Sequence, residues 1–163
     1  MLSTSDMIEQ FQRYNPEVCK ALDGFFANFR DECKRLCEHD VNPRAKFSYE
    51  SSEPTQFTMA WLGHELTLRL SYGIGEIGNA IGIVSCRAET PADPTAGVEV
   101  TAFAFNNLGQ LGQKSPPGIN QTAFSMADPS SVWYLAKMVL YLALSRRSSL
   151  WAKEKGDFLA YKD

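Results

Sequence analysis

The sequence is poor in the residues that carry chemistry. Its 163 residues include two histidines and four cysteines. No two cysteines form a C-x-x-C pair, and no G-x-S-x-G, H-E-x-x-H or P-loop string occurs. The common signatures of serine hydrolases, zinc proteases and phosphate-binding loops are therefore missing. Charge of one sign is scarce too: 16 Lys+Arg stand against 19 Asp+Glu, for a net -3. That excludes a strongly basic nucleic-acid binder. There is no long apolar run. The longest, Val132–Leu144, is interrupted by Lys137, and as a helix it reaches about 20 Å against the roughly 30 Å of a bilayer core. The opening MLSTSDMIEQ has no basic segment followed by an apolar one, so no secretory signal is expected. With sparse cysteines, these absences predict a cytoplasmic chain with free thiols and no membrane or nucleic-acid partner.

What is present is the composition of a folded domain. Hydrophobic residues make up 44% and aromatics 12%, and at this mass about 70% of the unfolded surface is buried. No repeat or low-complexity tract divides the chain, so residues 1–163 are read as a single α+β domain. Charge is uneven along it: residues 1–50 sum to -2, 51–130 to -4 and 131–163 to +3.

The apolar period changes twice. Residues 5–14 predict a short helix with Ser5 as N-cap. Asn15-Pro16 then supplies an N-cap and N1 pair for a second helix over 16–39. Val18, Leu22, Phe25, Phe26, Phe29, Cys33, Leu36 and Cys37 hold a 3.6-residue stripe along it. After Asn42-Pro43 the period falls to two, and about six consecutive strands are predicted between about 45 and 126. Gly63-His64 reads as a II′ hairpin turn, pairing Trp61 with Leu66, Met59 with Leu68 and Phe57 with Leu70. A Gly75-Glu76 turn would set Leu70 against Ile81 and Leu68 against Ile83. The second face would then carry Thr58, Ala60, Thr67, Arg69, Gly82, Val84 and Cys86. Val98–Asn106 is a fifth strand and Ile119–Met126 a sixth. Asp128-Pro129 opens a long helix over about 129–147, packed on the sheet, with a tail over 148–163. Strands in one run between helices give α+β rather than a doubly wound fold.

Several strings mimic sites. Gly73-Ile74-Gly75-Glu76-Ile77-Gly78 matches G-x-G-x-x-G, but a dinucleotide site needs a helix to open there. The residues that follow read as strand, so a glycine-rich hairpin is expected. Cys33, Cys37 and His39 have ligand-like spacing, yet both cysteines lie on the apolar stripe and nothing completes a tetrahedron. Cys86 beside Arg87 is an imaginable nucleophile, and His64-Glu65 sits at a hairpin. Neither has the base and orienting group that nucleophilic catalysis needs. No catalytic, cofactor or metal residue is assigned.

The last helix has more apolar surface than one sheet face requires. Val132, Leu135, Ala136, Val139, Leu142 and Ala143 form one stripe; Trp133, Leu140 and Leu144 form another. Trp133, Leu140, Tyr141 and Leu144 are therefore the candidate interface residues. The expected function is a non-enzymatic interaction module, a homodimer or a partner of another protein, working through this helix and one sheet face. Leu140→Glu is the substitution expected to weaken a dimer. The alternative is a small-molecule binding protein with a pocket between sheet and helices, gated by the Gly/Pro-rich loop 107–118. In size, acidity and the placing of a sheet among helices, the layout is similar to small dimeric chaperones of bacterial secretion systems. Six consecutive strands depart from that family's order, and no motif residue carries over.

Overall fold

The computed structural model describes residues 3–39, 45–75, 78–88, 97–112 and 124–154. Its order is helix α1 (Thr4–His39), strands β1 (Lys46–Ser48), β2 (Gln56–Trp61), β3 (His64–Ile74), β4 (Ala80–Ala88) and β5 (Val98–Asn106), then helix α2 (Pro129–Glu154). The five strands form one antiparallel sheet in chain order. The α+β class and the helix–sheet–helix order are those expected from the periodicity.

The first helix is a single element, not two. Its cap is Ser3: the Asp6 amide donates to Ser3 Oγ at 3.2 Å. The Asp6 carboxylate accepts from the Ser3 amide at 3.1 Å and from the Ser3 hydroxyl at 2.6 Å. This is a reciprocal capping box two residues upstream of the expected Ser5 cap. The helix then runs through Asn15-Pro16 without a break. A proline loses the same single donor at N1 as inside a helix, so the pair cannot by itself separate a start from an interruption. Here the turns on both sides are helical. The expected α2 cap is confirmed: Asp128 Oδ2 accepts from the Ser131 amide at 3.2 Å and from its hydroxyl at 2.8 Å. The helix runs past the expected residue 147 to Glu154.

Two hairpins differ in register from expectation. In β2–β3 the central turn residues are Leu62 and Gly63, with φ of 52° and 81°. Two positive φ values are the mark of a I′ turn. The pairs are Trp61↔His64, Met59↔Leu66 and Phe57↔Leu68. This is a shift of two residues in partner, so the apolar set stays on one face. In β3–β4 the pairs are Leu70↔Val84 and Leu68↔Cys86, a shift of three. An odd shift turns the strand over. Gly82, Val84 and Cys86 therefore face the core, and Ile81 and Ile83 take the opposite face. In β5 the register shifts by one residue opposite Cys86/Arg87, a bulge that leaves Val100 and Thr101 both buried.

The sixth strand is not among the described residues. Residues 119–123 lie outside them, and Phe124–Met126 is irregular chain with Phe124 and Met126 buried. One bridge does continue the sheet past β5: Phe105↔Leu111, with the Gly112 amide donating to the Ala104 carbonyl at 2.8 Å.

Both helices cover one face, here called the inner face. Phe26 meets Phe57 at a ring-centroid distance of 5.5 Å, and Phe29 meets Phe103 at 5.0 Å. Leu22, Phe29, Cys33, Leu66, Leu68, Met126, Leu135 and Ala136 are wholly buried in the same cluster. The chain leading into α2 is tied to α1 by Asn28, whose side-chain amide donates to the Met126 carbonyl at 3.2 Å.

Candidate functional site

The four candidate interface residues of α2 have different surroundings. Leu140 is 7% exposed and belongs to the core cluster. Leu144 is half-buried against the same cluster. Trp133 is half-buried, with the Arg35 guanidinium 4.5 Å from its ring centroid, Lys137 Nζ at 5.7 Å and the His39 ring edge-on at 5.7 Å. Tyr141 is 57% exposed and Tyr134 41%. The second apolar stripe of α2 is thus covered largely by α1. Helix–helix packing, not an outside partner, accounts for most of the surplus. Leu140→Glu would place a charge in the core and report unfolding rather than association.

The reactive side chains are mostly enclosed. Cys33, Cys37 and Cys86 are free and buried, and Cys19 is free and half-buried. Burial, aided by the Glu99 charge, pushes the Cys86 thiol up to about 12. Burial, aided by Glu38, pushes Cys37 up to about 11. Cys33 is raised well above the ordinary thiol range by burial, then by Cys37, Cys86 and Glu32. A thiolate at Cys86 would need the opposite shift. Arg87 points to the other face, where its guanidinium donates to the Gly97 carbonyl at 3.1 Å. His64 begins β3 opposite Trp61. His39 sits against Trp133, away from the buried Cys33 and Cys37. Among the described residues no group of three His, Cys, Asp or Glu is placed to hold a metal. In the G-x-G-x-x-G stretch, residues 76–77 lie outside the described set. Around them the Gly75 amide donates to the Asn79 carbonyl at 2.7 Å, and the Gly78 amide to the Gly75 carbonyl at 2.9 Å. Strand β4 follows, where a phosphate site would need a helix N-terminus.

A tight polar cluster lies at one end of the inner face. The Tyr72 hydroxyl donates to the Asp23 carboxylate of α1. Burial, then that carboxylate, raises the Tyr72 phenol. Asp23 also raises the neighbouring Cys19 thiol, after burial.

Between sheet and helices the space is filled by Phe26, Phe29, Phe57, Met59, Leu68, Val84 and Leu135. One open cleft of about 200 Å³ is lined by Asn28, Asp31, Glu32, Met126, Ala127, Pro129 and Val132. Another of about 230 Å³ is lined by Ser48, Tyr49, Glu50, Glu53, Gln56, Phe57 and Thr58. Both fall below the roughly 300 Å³ at which small-molecule sites begin. The described part of loop 107–118 is pinned. Asn106 Oδ1 accepts from the Leu108 and Gln110 amides at 3.0 Å each, and the Gly109 carbonyl accepts from the Met126 amide at 2.8 Å. Residues 113–118 lie outside the described set.

The second sheet face, here the outer face, carries other β4 residues than expected. It carries Ser71 and Gly73 from β3, Ile81, Ile83 and Ser85 from β4, and Ala102 and Ala104 from β5, in cross-strand rows. Ile81, Ile83, Ala102 and Ala104 are half-buried by their neighbours. Thr58, Ala60, Thr67 and Arg69 extend the face toward β2, as expected. Arg69 is held across it by two bonds to Gln56 Oε1, at 2.8 and 3.2 Å. Both helices lie on the inner side, so no described helix covers these residues. The missed signal was the length of the β3–β4 turn, since one odd step exchanges Ile81 and Ile83 for Gly82 and Val84. No protein-family model matches the chain, and no curated protein or solved structure matches it.

Proposed function

We propose that this chain is a non-enzymatic, cytoplasmic protein-interaction module whose docking surface is the outer face of the sheet. The observation that carries this reading is the pair Ile81 and Ile83 on the helix-free side, among alanine, serine and glycine. An antiparallel sheet tolerates a solvated face when that face is polar. Here its centre has two large aliphatic side chains, and apolar surface gathered in one place marks contact sites on soluble proteins. The C-terminal helix contributes less than its sequence suggests, because Trp133, Leu140 and Leu144 are engaged with the body of the domain. The buried, protonated thiols and the pinned start of loop 107–118 agree with a binding role. The cytoplasmic assignment rests on four free cysteines.

The test is a photo-crosslinking side chain placed at Ala104 or, as the alternative surface, at Tyr141, in chain added to extract of its source cell. The expected result is one discrete adduct from position 104, abolished by Ile83→Glu, with none from position 141. Adducts from position 141 alone would move the docking surface to α2. Absence of adducts at both positions would overturn the reading.

A further inference from the structure

The chain holds two places where its first helix can begin, and the structure uses one of them. α1 starts at the capping box of Ser3 and Asp6. Asn15-Pro16 then stands inside the same helix. The pair is unfavourable there. Pro16 has no N–H to offer the Gln12 carbonyl four residues earlier, and its ring crowds the preceding turn. It also disfavours a helical backbone at Asn15. The same two residues suit a helix start. At N-cap an asparagine side chain accepts from first-turn amides, and at N1 the proline donor is not missed.

Packing does not fix the choice at the first turn. Ser3, Thr4, Ser5 and Asp6 are all exposed, and four successive positions cover every side of a helix. Thr4 lies about five turns before Leu22 on the same side. Leu22 is wholly buried and Thr4 is exposed. Glu9 and Glu17 are exposed as well. Among the described side chains, Val18 is the first of α1 to pack on the core cluster.

Magnitudes bring the two starts close together. A proline inside a helix disfavours it by a factor of about 100. Against this, the eleven residues 4–14 each favour extension by a factor of about 1 to 1.6, which multiplies to between about 1 and 170. The two caps contribute about fivefold each and offset one another. On these terms the long helix has no large advantage over the short one.

We propose that α1 has two alternative starts, a long form capped at Ser3 and a short form capped at Asn15. They exchange as residues 4–14 wind and unwind, while residues 16–39 stay on the sheet. The exchange changes the length of α1 by about 18 Å. A partner that holds the wound arm draws the equilibrium to the long form, because a ligand shifts populations by its differential affinity for the two states.

The experiment is residue-resolved amide hydrogen exchange by NMR on the full chain. The expected result is a step in protection at Pro16. Amides of residues 7–14 should exchange within about tenfold of an unstructured chain, and those of residues 20–37 at least about 1,000-fold more slowly. A gradual rise in protection from residue 7 to residue 20 is ordinary end fraying and overturns the proposal. Equal protection on both sides of Pro16 means one rigid helix and also overturns it. Two variants at position 15 test the second cap. Asn15→Gln is of similar helix propensity but is not a capping residue, and it should raise protection of the arm about fivefold. Asn15→Ser retains a capping oxygen and should leave the arm unchanged. An arm that responds to neither variant, or to both alike, overturns the cap at Asn15. Pro16→Ala should erase the step, and a step that persists overturns the role of the proline. Unchanged protection in β2, β3 and β4 shows that each variant keeps the fold.

Discussion

Single atoms decide several of the placements. At Gly82 a Cβ would lie 2.6 Å from Phe105 Cζ. The Phe105 ring has little freedom to retreat, since Phe25 meets it edge-on at 6.2 Å and Phe103 lies at 6.3 Å. Gly82→Ala therefore inserts a methyl into a filled site, and overpacking of this kind costs about 1–3 kcal/mol. A lower urea midpoint with an unchanged denaturant slope is the expected outcome. A variant as stable as the parent would mean that the Phe105 ring is not confined. The same glycine shows what the sequence conceals. The expected β3–β4 register placed it on the second face. It lies instead on the core face, against the Phe105 ring. The reading of Cys33 and Cys37 as core thiols needed only their helical spacing and holds. The interface role given to Leu140 rested on an apolar stripe, and a stripe does not say which neighbour covers it.

At the scale of elements, hairpins hold both the legible and the illegible parts of this fold. Strand existence was legible from period-two alternation, and so was the core face of β2 and β3, because an even register error leaves the faces unchanged. The face of β4 was not, because one odd step exchanges Ile81 and Ile83 with Gly82 and Val84. Alternation alone permits both when the strand is apolar throughout. The β4 residues of the outer surface were therefore not legible before the structure, though its β2 and β3 residues were. The β2–β3 turn also carries a testable strain. Leu62 has φ of 52° and is 56% exposed, a conformation that costs a leucine and suits asparagine. Leu62→Asn gives up only part of a half-exposed side chain and should raise stability by about 0.5–1 kcal/mol, seen as a higher thermal midpoint. No gain would show that the turn relaxes away from the I′ form in solution.

The whole molecule is a two-layer body with its chemistry folded inward, which gives it a characteristic response to alkali. Cys33, Cys37 and Cys86 all have thiols raised by burial, Cys37 to about 11 and Cys86 to about 12. The Tyr72 phenol is raised too, by burial and by Asp23. In the unfolded chain the thiols return to their ordinary value of 9.0. Below pH 9 both states hold these protons, and stability is independent of the thiols. Above it the unfolded chain releases protons that the folded chain retains. Stability must then fall as pH rises from about 9 through the folded values of about 11 and 12. Urea midpoints should be level from pH 6 to 8 as far as the thiols are concerned, then decline steadily. Cys86→Ala should lower the neutral midpoint through a small cavity yet flatten the alkaline decline, because one of the proton-releasing groups is gone. A colorimetric thiol reagent at pH 8 checks the same enclosure: one thiol, Cys19, should react with the native chain and four after unfolding. Fast reaction of a second thiol in the native chain, or a decline unaffected by Cys86→Ala, would show that the thiols are not sealed in the core. It would also reopen Cys86 as a nucleophile.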